Sequence, residues 1–134
     1  MAATLVDSNV ILDVLTETEE WYDWSASMLE RAAHEGHLLI NPIIYAEVSA
    51  GFSRIEDVDE ALPADHYRRV DLPWPAAFLA GQAYVRYRRG GGDRRSPLAD
   101  FYIGAHAAVA DLTLLTRDAG RYRTYFPSLR LVAP

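Results

Sequence analysis

Hydrophobic and polar positions along this chain fall into two alternating kinds of run. Short apolar runs that stop at a polar residue or a proline predict buried strands at Thr4 to Asp7, His37 to Ile40, Leu112 to Thr116 and Leu129 to Val132. The more polar Tyr67 to Leu72, ended by Pro73, predicts a further short strand. Between them lie stretches with helical periodicity. VILDVL follows Ser8 and Asn9, either of which can cap it by accepting free N–H groups at its start. Trp21, Trp24, Met28, Leu29 and Ala32 share one face of a helix over Trp21 to Glu35, ended by Gly36. Asn41-Pro42 stops the second strand, and Pro42 suits the first turn of a helix running to Ala50, with Gly51 as a break. Further helices are predicted over Ile55 to Leu62, Trp74 to Arg89, Pro97 to about Ala110 and, as a turn or short helix, Ala119 to Phe126. Gly90-Gly91-Gly92 must be a loop, because three glycines lose too much backbone entropy in regular structure. Strands that alternate with helices in this way predict an α/β fold, a three-layer α/β/α domain around a mostly parallel central sheet of about five strands.

Composition narrows the chemistry. The 134 residues suit a single domain, and 50% hydrophobic with 24% charged is ordinary for a globular chain. With no cysteine, disulfides, thiolate zinc sites, Fe–S clusters and cysteine nucleophiles are excluded. The N-terminal apolar run lacks a basic flank and is interrupted by Asp7, and no apolar run reaches membrane-spanning length. The expectation is a cytoplasmic protein. All 13 basic residues are arginine, which removes any mechanism that depends on lysine, including that of receiver-like or phosphatase-like domains with a lysine beside the phosphate.

The net charge of −6 argues against a protein that grips nucleic acid through its overall charge. Its distribution is uneven. Acids gather at Glu17, Glu19, Glu20 and Asp23 and again at Glu56, Asp57, Asp59 and Glu60; arginines gather at Arg86, Arg88, Arg89, Arg94 and Arg95, then at Arg117, Arg121 and Arg123.

Four acids stand where such a sheet binds ligands, beyond the carboxyl ends of its strands. Asp7 ends the first strand and Asp118 lies just past TLLT. Glu47 is about one turn into the helix after the second strand, and Asp100 is in the first turn of the helix opened by Pro97. Taken singly, each has a local explanation: Asp7 and Asp118 as caps, Glu47 and Asp100 as first-turn acids that complement a helix dipole. Taken together, acids converging on one edge repel each other and call for a cation. Their apolar settings (IIYAEV, ADFYIGAHAAVA, LTLLTRD) strengthen that need, because an unpaired buried charge is costly. Hard divalent ions such as Mg²⁺ or Mn²⁺ suit an all-oxygen set. Arg117 is a competing partner for Asp118.

DSNVILDVL, PIIYAEV, PLADFYIGAHA and LLTRD, in that order, resemble the PIN-domain family, specifically its VapC-type toxin nucleases. The resemblance spans nearly the whole chain. It implies an α/β/α fold, Mg²⁺- or Mn²⁺-dependent endoribonuclease activity, an RNA substrate, homodimerisation and inhibition by a cognate VapB-type antitoxin. It places the family's acidic positions on Asp7, Glu47, Asp100 and Asp118, and its supporting polar positions on Asn9 and Thr116. Arg86, Arg89, Arg94 and Arg95 around the glycine run, with Arg117, are candidate RNA-backbone contacts, or else a solvated loop. Tyr84, Tyr87 and Tyr102 are half-buried packing residues in one reading and base-stacking residues in the other. The four histidines lack zinc-site spacing and read as structural or surface groups; Trp21, Trp24 and Trp74 read as core or dimer residues. The rival from another class is a PIN-like binding or scaffold domain without catalysis.

Overall fold

A computed structural model describes residues 3–92 and 97–134. Its strands are β1 (Thr4–Val6), β2 (Leu38–Ile40), β3 (Tyr67–Arg69), β4 (Thr113–Leu115) and β5 (Leu131–Val132). Its helices are α1 (Ser8–Leu15), α2 (Tyr22–Glu35), α3 (Pro42–Ser49), α4 (Ile55–Ala61), α5 (Trp74–Arg89), α6 (Leu98–Val109) and α7 (Gly120–Tyr125). The strands form one sheet in the order β3-β2-β1-β4-β5, and every pairing is parallel. The sheet is thus wholly parallel, and the architecture is the expected α/β/α sandwich.

The topology fixes where a ligand sits. The chain steps from β1 to β2 to β3 in one direction, then crosses back beyond β1 to β4 and β5. Right-handed crossovers carry the helices of the two directions over opposite faces. The strand order reverses between β1 and β4, whose carboxyl ends open a crevice. Val6 is level with Leu115, and the Asp7 amide continues the ladder to the Leu115 carbonyl at 2.9 Å. The residues that leave β1 and β4 therefore emerge side by side.

The core is apolar on both faces of the sheet, as a doubly covered parallel sheet requires. Leu5, Val6, Val10, Ile44, Phe101, Ile103, Leu114 and Leu115 are fully buried. Gly104 on α6 lets α7 approach: a Cβ there would lie 2.7 Å from the Phe126 ring and 3.0 Å from the Tyr122 ring. That close approach brings Tyr122 under the crevice.

Two expectations need correcting here. Neither Ser8 nor Asn9 caps α1; Asp7 does, accepting the Ser8 amide at 2.8 Å, and the helix begins at Ser8. Of the two readings of Trp74, core or dimer, the structure removes the first: it is 88% exposed at the start of α5, whereas Trp21 and Trp24 are partly buried.

Candidate active site

Asp7 is 3% exposed, yet it accepts three protein donors. The Ser8 amide binds Oδ1, and the hydroxyls of Thr116 and Tyr122 donate to Oδ2 at 2.9 and 2.8 Å. Burial raises the Asp7 pKa above the usual carboxylate range and the charge of Asp100 adds to it, while the three donors pull the other way. Asp7 is therefore at once a helix cap and the buried centre of an acidic group.

Thr116 and Asn9 join β4 to that centre. The Thr116 hydroxyl, donating to Asp7, accepts Asn9 Nδ2 at 3.3 Å and the Asp118 amide at 3.2 Å. Asn9 Oδ1 in turn accepts the Arg117 amide at 3.1 Å. The turn from Thr116 to Asp118 is thereby tied to the first turn of α1. The two residues expected to support the acids are the two that make this tie.

Glu47 faces the same crevice from α3. Its Oε1 accepts the Ser8 hydroxyl at 2.8 Å, so a single residue links Asp7 and Glu47. Its pKa is raised by burial and then by the charges of Asp7 and Asp100. Asp100, in the first turn of α6, is likewise raised, first by burial; Asp118 adds to the shift and Arg121 opposes it. Asp118 is exposed at the rim, and Asp100 senses its charge. The four acids thus share one electrostatic neighbourhood, built from β1, β4, α3 and α6.

A hard divalent cation fits this donor set: the acids offer oxygens only, and their mutual repulsion lacks a resident lysine to relieve it. Their arrangement is not yet that of a ligand shell. Among the described residues, no three acids or histidines stand together as a metal-ion group. Two of the acids have protein partners. Arg121 Nη1 donates to Asp100 Oδ2 at 2.8 Å, and Ser8 holds Glu47. Among the described residues, Arg121 is the cation paired with these acids.

Other polar residues have partners that sequence does not disclose. Arg117 does not pair with Asp118. Its Nε and Nη2 donate to the buried Asp13 at 2.8 and 3.1 Å, its guanidinium lies 5.6 Å from the Trp21 ring centre, and Ser25 donates to Asp13 at 2.7 Å. The guanidinium is thus engaged with the fold, while 31% of the side chain remains exposed. His106 is buried, and its Nδ1 lies 3.0 Å from Asn41 Nδ2. Because Asn41 Oδ1 already accepts the Ile44 amide, the Asn41 amide group donates and Nδ1 accepts. Burial lowers the His106 pKa.

Arg86 donates to the Tyr125 carbonyl at 3.0 Å, and Arg89 is exposed at the end of α5. Arg94 and Arg95 lie outside the described residues. Tyr87 packs edge-on against Phe101 and Tyr125, which is the packing reading of that residue. Sequence reasoning passed over Ser8, Asp13, Arg121 and Tyr122 as site residues. The last two had one readable signal: they follow Asp118 by three and four positions, the spacing that brings side chains together across a helical turn.

Known proteins sharpen this picture. The PIN domain family model matches residues 4–127. The chain belongs to the PIN domain family. No curated protein matches it significantly. Among solved structures, a chain of VapBC2 from Rickettsia felis, crystallised on a DNA fragment from its promoter, aligns with TM-score 0.73 at 18% identity, covering 98% of each chain. A chain of VapBC-1 from nontypeable Haemophilus influenzae aligns with TM-score 0.74 at 15% identity, covering 98% of this chain and 97% of that one. A chain of FitAcB from Neisseria gonorrhoeae aligns with TM-score 0.71 at 21% identity, covering 96% and 95%. Among the described residues, no helix is long and apolar enough to cross a membrane.

Proposed function

We propose that this protein is a divalent-metal-dependent endoribonuclease, the toxin of a VapBC-type pair. The carrying observation is the convergence of four acids at the carboxyl ends of β1 and β4: Ser8 joins Asp7 to Glu47, Tyr122 and Thr116 hold Asp7, and Asp100 and the exposed Asp118 lie close enough to shift one another or their neighbours. These four residues would hold Mg²⁺ or Mn²⁺. Such an ion, when bound, neutralises charge on a scissile phosphate and acidifies the attacking water.

The chain's own residues do the positioning. Thr116 and Tyr122 fix Asp7 Oδ2, so that the carboxylate does not rotate freely. Asn9 holds Thr116 and the Arg117 amide, which keeps the loop carrying Asp118 against α1. Arg86 and Arg89 at the end of α5, with Arg94 and Arg95, are the candidate contacts to the RNA backbone.

Two partner readings belong to the same proposal. Trp74, Phe78 and Val85 repeat at helical spacing and leave an apolar stripe exposed on α5, which supports a homodimer. The aligned VapBC structures support a VapB-type antitoxin, whose basic segment would suit the acidic runs Glu17–Asp23 and Glu56–Glu60. A cytoplasmic site of action accompanies this reading.

The competing reading is a non-catalytic PIN-like scaffold, and the Arg121–Asp100 pair is the observation in its favour. An RNA cleavage assay separates them. Cleavage is expected with Mg²⁺ or Mn²⁺, is expected to stop on chelation with EDTA, and is expected to return when Mn²⁺ is restored. Cleavage that survives EDTA rejects the metal dependence, and no cleavage at any Mn²⁺ concentration with a panel of structured RNAs rejects the nuclease reading.

A further inference from the structure

Arg121 is oddly placed for a protein that must gather cations at its acids. It lies in the first turn of α7, is 40% exposed, and donates Nη1 to Asp100 Oδ2 at 2.8 Å. Its neighbour Tyr122 is buried on Asp7, so the backbone that carries Arg121 is anchored to the site from below. Arg123, two residues on, is exposed to solvent. Among the described residues, Arg121 is thus the charge that the fold sets against the acids.

Two physical demands meet at this side chain. Without an ion, Asp100 is a partly buried carboxylate among three others, and a guanidinium is the cheapest relief. With an ion, RNA must bring a polyanion to a rim where Asp118 is already exposed, and some positive group must receive it. A planar fork of donors suits a phosphate as well as a carboxylate. A flexible side chain tethered within reach of both can serve each in turn.

We propose that Arg121 is a tethered counter-ion of the acidic group: it competes with the divalent cation for Asp100 and, once displaced, holds a phosphate of the RNA at the same rim. This inference rests on the metal-dependent reading above.

The test uses the full chain and three variants, Arg121→Gln, Arg121→Lys and, as a control on the same helix, Arg123→Gln. Mn²⁺ binding to the RNA-free protein is measured by the paramagnetic resonance of the unbound ion, and KM for a cleaved RNA is measured at saturating Mn²⁺. Removing one competing unit charge at hydrogen-bond distance is expected to tighten Mn²⁺ binding roughly tenfold in Arg121→Gln. The same variant is expected to raise KM several-fold with a smaller change in kcat. Arg121→Lys keeps the charge and is expected to bind Mn²⁺ near the wild-type level, with an intermediate KM because the fork is lost. Arg123→Gln is expected to match the wild type in Mn²⁺ binding. Equal or weaker Mn²⁺ binding in Arg121→Gln overturns the competition, and tighter binding with an unchanged KM overturns the phosphate role. If wild type and Arg121→Gln both fail to bind Mn²⁺, the metal reading falls and this inference with it.

Discussion

Asp7→Asn is expected to cut RNA cleavage by roughly 10²–10³-fold, the scale of losing several kcal/mol of charge stabilisation at a metal-assisted reaction. The fold is expected to survive the change. Asn has nearly the same shape but one acceptor oxygen, which can serve either the Ser8 amide at the Oδ1 position or the hydroxyls of Thr116 and Tyr122 at the Oδ2 position, and its NH2 then faces the other donors. The sign of the stability effect follows from the raised pKa. A carboxyl that binds its proton more tightly in the folded chain is destabilising when ionised, so its contribution is most favourable in acid and is lost as pH rises through its range. At neutral pH the wild type carries that cost and Asn does not. Thermal melts without metal should therefore place Asp7→Asn within a few degrees of the wild type, relief of the buried charge offsetting the lost acceptor. Added Mn²⁺ should raise the wild-type midpoint and leave the variant's unmoved. A variant that cleaves within a few-fold of wild type would remove Asp7 from the chemistry.

Arg117→Ala is expected to destabilise the protein by about 2–3 kcal/mol, or roughly 8–12 °C in melting temperature for a domain of this size. Asp13 is 1% exposed on its side chain, and the substitution strips it of a bidentate partner. Removing one member of a buried pair leaves an uncompensated charge. The figure is below the full cost because the Arg117 side chain is 31% exposed and Ser25 still donates to Asp13. Arg117→Lys should recover only part of the loss, since an ammonium cannot reproduce the two-pronged contact. A melting temperature within a degree of wild type for Arg117→Ala would mean that Asp13 is not held by this pair.

The elements of this fold were legible because each is short, apolar at the right period and bounded by a proline, glycine or polar residue. LLI stopped by Asn41-Pro42 and the small-residue helix after Pro97 appear as β2 and α6 where the pattern puts them. The edge on which the candidate acids lie was legible for a related reason: Asp7 and Asp118 follow strands, and a parallel sheet gathers its strand ends on one edge. What bound to what was not legible. Three consecutive residues, Asp7, Ser8 and Asn9, can all cap a helix, and only the backbone angle at Asp7 selects it. The Arg117–Asp13 pair spans most of the chain and depends on β4 lying beside β1, a strand order with no local signature. Tyr122 reaches Asp7 only because Gly104 lets α7 close on α6, and nothing in a string of letters marks that contact.

The most direct measurement is a crystal of the full chain grown with Mn²⁺ and read by anomalous scattering at the manganese edge. A peak about 2.1 Å from carboxylate oxygens of Asp7 and Asp100, with Glu47 or Asp118 close by and Arg121 swung away from Asp100, is the predicted result. A map with no peak among these four acids, and Arg121 still bonded to Asp100 at saturating Mn²⁺, would contradict it.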